Sequence, residues 1–84
     1  MISIVKDVAA EALFVSDLQP SQQPSHEAVE LAVTAMLLRL GTAGCAAGVA
    51  AEFGDHPETA VRRMCWVHTE LDGVLAPREA AVLN

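Results

Sequence analysis

Aromatic residues are almost missing from this chain of 84 residues: it has no Tyr, and Trp66, Phe14 and Phe53 make up the whole set, 4% of the total. Large planar groups therefore cannot build its interior. Fifteen residues are alanine, so burial depends on backbones that approach closely, which favours helices. Positive charge is scarce as well. Five Lys and Arg stand against eleven Asp and Glu, a formal net charge of −6, and this excludes the broad basic face on which nucleic acid or an anionic membrane is held. Two cysteines, Cys45 and Cys65, are too few for a secreted disulfide framework and are expected to be reduced. No uninterrupted run approaches the ~18 to 20 apolar residues of a membrane span. Lys6, Asp7 and Glu11 break the apolar N-terminal segment, unlike the core of a signal peptide, so the expected compartment is the cytoplasm and no membrane partner is expected.

What is present suits one small helical domain over residues 1–84, with 52% hydrophobic residues. A chain of this size buries only roughly 60 to 65% of its unfolded surface. Pairing with a second copy is the simplest way to bury more, so a homodimer is expected.

The hydrophobic period predicts about four helices. Ile4, Val5, Val8, Ala9, Ala12 and Leu13 share one face of helix one, residues 2–15, with Lys6, Asp7, Ala10 and Glu11 opposite. Residues 16–25, SDLQPSQQPS, form a linker, because no helix crosses Pro20 and Pro24 unbroken. The helical body covers 26–73. Ser25 is placed to cap helix two, with Glu27 in its first turn. Val29, Ala32, Val33, Met36, Leu37 and Leu40 form its stripe, and Gly41 provides a left-handed stop. Helix three follows to Gly54. Asp55 and Glu58 have capping-box spacing and Pro57 suits a first turn, so helix four is expected over 57–72. Its buried stripe contains Ala60, Val61, Met64, Cys65, Val67, His68 and Leu71, and Gly73 ends it. The tail is 74–84.

Residues VAAEFGDHPETAVRRM resemble a helix-turn-helix. Ala50 lies four before Gly54, where it permits a close helix crossing, and Gly54 is expected at the positive φ of a tight turn. The segment departs from the motif at Asp55 and at Arg63, both positions where an apolar residue is usual. The resemblance implies that Thr59, Arg62 and Arg63 would reach DNA. Glu52, Asp55, Glu58, Glu70 and Asp72 surround them, so nucleic acid ranks below a protein partner. Arg62 and Arg63 are instead expected to pair with Glu58 and Glu70.

No catalytic constellation is visible. His26, His56 and His68 are scattered, and no phosphate loop, GxSxG elbow or HExxH motif occurs. Cys45, His56, Cys65 and His68 could be assembled as four zinc ligands, but there is no CxxC and only Cys65 and His68 are spaced to converge on one helix face. Neither a metal nor a cofactor is expected, and the chain is not expected to be an enzyme.

The pattern EALFVSDLQPSQQPSHEAV followed by LRLGTAGCAAGVAAEFGDHPETAVRRMCW resembles short uncharacterised actinobacterial proteins, in which an LQPS linker precedes a GCAA…EFGDHPE…RM.W block. The likeness covers residues 11–66 and implies an origin without a mechanism. Taken together, the residues predict an all-α interaction or regulatory protein with a core of Val5, Val8, Leu13, Val29, Val33, Met36, Leu37, Leu40, Val49, Phe53, Val61, Met64, Val67 and Leu71. Its apolar face would lie between helix one and helix four, with Trp66, Phe14 and Leu18 as partner-binding residues. A DNA-binding regulator is the alternative.

Overall fold

A computed structural model describes residues 2–75, and these fold into three α-helices: α1 (Ile2–Val15), α2 (His26–Asp55) and α3 (Pro57–Leu75). The all-α class holds, with three helices in place of about four. The two helices expected on either side of Gly41 form the single element α2, interrupted only at that residue, which sits at φ 72° and ψ 171°. This backbone region is essentially closed to residues with a Cβ, so glycine permits the kink without a connecting loop. A Cβ built at Gly41 meets nothing within 4 Å. Gly41→Ala is therefore expected to lose about 1 to 3 kcal/mol through backbone strain alone.

Gly54, expected at positive φ, is instead an ordinary helical residue, since among the described glycines only Gly41 has positive φ. α2 continues through Asp55 and leaves His56 as the one residue before α3. Asp55 thus closes one helix and cannot cap the next. A Cβ at Gly54 also meets nothing within 4 Å, so Gly54→Ala should add about 0.4 to 1 kcal/mol by restricting the unfolded chain. Opposite signs for the two glycine variants in urea unfolding would check both assignments together; a stabilising Gly41→Ala would overturn the kink. Gly73 does not end the last helix either, for α3 runs on to Leu75. The tail beyond it lies outside the described residues, as does the side chain of Ile4.

Other local signals perform as expected. Ser25 Oγ accepts a hydrogen bond from the Ala28 N–H at 3.1 Å, capping α2. Linker 16–25 contains one 3-10 turn, Pro20–Gln22, closed by the Gln19 N–H donating to Gln22 Oε1 at 2.6 Å. Gln23 then takes a left-handed conformation, φ 48° and ψ 58°, immediately before Pro24.

The core is centred on α1. Ala10, Leu13 and Phe14 pack with Val29 of α2 and with Ala60, Val67 and Leu71 of α3. Val8, Val33, Met36, Leu37, Val49, Phe53 and Met64 are partly buried. Three expected core residues lie outside: Val5 is 66% exposed, Val61 52% and Leu40 45%. Cys65, expected in the buried stripe of the last helix, is exposed too. Val5 shares its face of α1 with the fully buried Ala12 but lies nearer the start of the helix, where that face is not covered.

Two close approaches fix the helix directions. A Cβ built on Gly48 would lie 2.8 Å from Val15 Cγ1, so glycine is what lets the end of α1 press against the part of α2 beyond the Gly41 kink. Ala50, expected to serve such a crossing, is exposed. At the other end Lys6 Nζ pairs with Asp72 Oδ1, and a Cβ on the adjacent Gly73 would meet His26 Nε2 at 3.3 Å. The starts of α1 and α2 and the end of α3 therefore share one end of the bundle. The linker must return along the bundle from Val15 to His26.

Candidate interaction site

The last carbonyls of a helix have no partner within it. Two at the end of α1, with two more from the linker just beyond it, converge on one guanidinium from α3. Arg63 Nε donates to the Phe14 carbonyl at 2.6 Å, and Nη2 donates to the carbonyls of Ser16 and Leu18 at 3.0 Å each and to that of Leu13 at 3.4 Å. The Ser16 hydroxyl, in a buried residue, also donates to the Leu13 carbonyl at 2.7 Å. The guanidinium carbon lies 5.7 Å from the Phe14 ring centroid and 5.2 Å from that of Trp66. A delocalised cation suits this place: it supplies several in-plane donors, stacks on aromatic faces and opposes the negative end of the α1 dipole. Burial lowers the guanidinium's pKa, and the Glu52 carboxylate raises it in turn.

The expected ion pairs of Arg62 and Arg63 with Glu58 and Glu70 are absent among the described residues, where Lys6–Asp72 is the one salt bridge. Arg63 turns to α1 because Phe14, Ser16 and Leu18 present carbonyls that no other donor reaches. Its departure from the helix-turn-helix pattern thus has a structural use: the position faces inward, and its charge is met by backbone oxygens.

An open groove of about 370 Å³ runs beside this contact, lined by Phe14, Val15, Ser16, Gln19, Gly48, Glu52 and Arg63. Glu52 and Arg63 are the ionisable groups among them, and the Ser16 hydroxyl is engaged with the backbone. The groove therefore presents polar contacts, with no nucleophile set against a base.

The other sequence-predicted site residues separate. Phe14 is only 3% exposed and stacks on Phe53 with centroids 5.9 Å apart, so it belongs to the interior and not to an accessible face. Leu18 and Trp66 are half-buried against the core. Thr59 and Arg62 are exposed on α3, while Arg63 is half-buried. Cys45 is buried, with its thiol 3.8 Å from the Met36 carbonyl. Burial and, secondarily, the Glu11 carboxylate push its pKa up, keeping it protonated. Cys65 is exposed, His56 occupies the α2–α3 joint and His68 is half-buried. Among the described residues no group of three or more His, Cys, Asp and Glu is assembled that could hold a metal ion.

The exposed apolar surface was not among the expected sites. Leu31 is 66% and Leu38 84% exposed, on the outer face of α2. They are seven apart and share that face with Thr34 and Ala35, all exposed. The stripe of Val29, Val33, Met36 and Leu40 leaves both leucines out, but the helical period by itself does not choose that stripe over others. α2 is 30 residues long, and an 18-residue window within it has a mean hydropathy of 1.5 while only 6% of that window is buried. By length and composition alone this is sufficient for a membrane span, although Thr34, Arg39 and Thr42 interrupt every apolar run.

Comparison with known protein families, with curated proteins and with solved structures finds no match to this chain.

Proposed function

We propose that this chain is a small non-catalytic interaction protein of the cytoplasm that associates with itself through the outer face of α2, and that its kinship lies with the short actinobacterial proteins it resembles. The observation that carries this reading is the exposure of Leu31 and Leu38 on a helix that is apolar along most of its length. Isolated surface leucines are ordinary, but two on one face of a largely uncovered apolar helix indicate a surface meant to be covered. The face proposed here is the outer side of α2. Of the residues expected on a face between the first and last helices, Phe14 is buried and Leu18 and Trp66 are half-buried, which favours the outer side of α2.

The alternative reading, a DNA-binding regulator, has Thr59 and Arg62 available on the α3 surface. Arg63 is engaged by α1 carbonyls and the chain is acidic, so this reading has less support. A second reading with its own observation is insertion of α2 into a bilayer. Its length and hydropathy favour that, whereas Arg39 near the centre of the apolar stretch would cost about 2.5 to 3.5 kcal/mol.

Light scattering coupled to size-exclusion chromatography tests the choice. The natural chain should give a mass above 8.9 kDa that rises with concentration. Leu31→Ser with Leu38→Ser should return it to the monomer with unchanged helix content. A natural chain that stays monomeric and floats with lipid vesicles would favour the bilayer instead. One that shifts a defined DNA duplex would favour the regulator.

A further inference from the structure

We infer that α1 is an exchangeable arm, and that in the self-associated form each copy seats its α1 in the groove of the other between α2 and α3. This rests on the self-association proposed above and specifies how the second copy is engaged.

Three observations carry it. First, α1 is the centre of the core: Ala10, Ala12, Leu13 and Phe14 are all buried, and its C-terminal end is held by Arg63 across 45 or more residues of sequence. All of these contacts can be remade with an identical partner, so exchange needs no new complementary surface. Second, the connection runs back along the bundle. It leaves α1 beside Gly48 and must reach His26 at the end where Lys6 meets Asp72. Ten residues reach at most about 33 to 36 Å when extended, and the linker spends part of this on the Pro20–Gln22 turn. An opened linker is long enough to carry α1 to a neighbour.

Third, the closed connection is strained. Gln23 holds a left-handed conformation, unfavourable for a residue with a Cβ. It also precedes Pro24, whose ring disfavours helical backbone angles in the residue before it. Straightening the linker releases this conformation, and an exchanged dimer releases it twice. The strain thus favours the open linker, while dilution favours the closed one.

The Val15–Gly48 contact offers a direct readout. The Cβ built on Gly48 lies 3.7 Å from Val15 Cβ, close to the separation found across disulfides. In a chain carrying Val15→Cys and Gly48→Cys, with Cys45→Ala and Cys65→Ser to remove the natural thiols, oxidation links α1 to whichever α2 it is seated on. The protein is refolded over a range of concentrations, oxidised and separated without reductant. The expected result is a covalent dimer whose share rises with refolding concentration and falls at least fivefold when Gln23→Gly is added, because glycine relieves the closed form.

A chain that is dimeric by light scattering but forms only the intrachain disulfide overturns arm exchange and leaves the α2 interface standing. A chain monomeric at every concentration overturns both. As a check free of added cysteines, Gln23→Gly in the natural sequence should lower the dimer share by a similar factor. No change in that share would overturn the role of the strained linker, since an interface made by the outer face of α2 alone is indifferent to residue 23.

Discussion

Replacing Arg63 with alanine is expected to destabilise the domain by about 3 kcal/mol, because the carbonyls at the end of α1 lose a charged donor and two aromatic rings lose their cation. Four hydrogen bonds converge on this side chain, but they share one guanidinium and are partly replaceable by water, so their energies do not add in full. A domain of 84 residues has roughly 4 to 13 kcal/mol of stability in total. The loss would therefore be a large fraction of it. Arg63→Lys should recover less than half, since an ammonium cannot reproduce the fork that reaches Phe14 and Ser16 together. Chemical unfolding followed by far-ultraviolet circular dichroism measures the effect. Amide hydrogen exchange should show α1 opening first, and a loss below about 1 kcal/mol would mean that packing alone holds the arm.

Leu13→Ala should cost as much or more. Leu13 is fully buried, within the cluster formed by Phe14, Val29, Ala60, Val67 and Leu71. Removing its branched end leaves a cavity between three helices, and such substitutions cost about 2.7 to 5 kcal/mol according to how far the surroundings collapse. Here collapse is limited. Val29 and Val67 are stiff at Cβ, and Ala60 has nothing to extend into the space. Against a total near the low end of about 4 to 13 kcal/mol, such a loss would leave the variant substantially unfolded at room temperature. A folded Leu13→Ala chain within 1 kcal/mol of the parent would show that α1 is only loosely seated, and would remove the basis for treating it as the centre of the core.

Arg63 and Leu13 together explain how a chain so poor in large side chains folds. Packing by small residues lets α1 approach closely at Gly48, and one long polar side chain then secures the helix end that hydrophobic burial cannot satisfy. The Lys6–Asp72 pair at the opposite end, with Asp72 largely open to solvent, contributes much less: exposed pairs are worth 1 kcal/mol or less.

Much of the local architecture was readable from the residues. The bounds of the first helix, the proline-interrupted linker, the Ser25 cap and the glycine break at position 41 all follow from backbone geometry and neighbouring groups, which act over four residues or fewer. The number of helices was not readable in the same way. A glycine that breaks the helical angles can end a helix or kink it, and what the following residues pack against decides between the two.

At position 54 the opposite holds. A glycine before Asp-His-Pro has the composition of a turn, yet α2 extends to Asp55 and only Pro57, opening α3, forces the change of direction. Arg63 and Gly48 lay further still from local inference. Their partners, Phe14 and Val15, are distant in sequence, and no period within either helix encodes which neighbour will come.

The outer surface belongs with these. Alanine contributes little contrast between a buried and an exposed face, so in α2 several stripes satisfied the helical period almost equally. Composition and short-range pattern were enough for the all-α class, the linker and the Ser25 cap. Which apolar stripe was covered, where the half-buried Arg63 was needed, and that Leu31 and Leu38 would be left outside depended on α1 settling between α2 and α3. Burial is a property of the assembled helices, and the period of any one helix offers candidates for it without choosing among them.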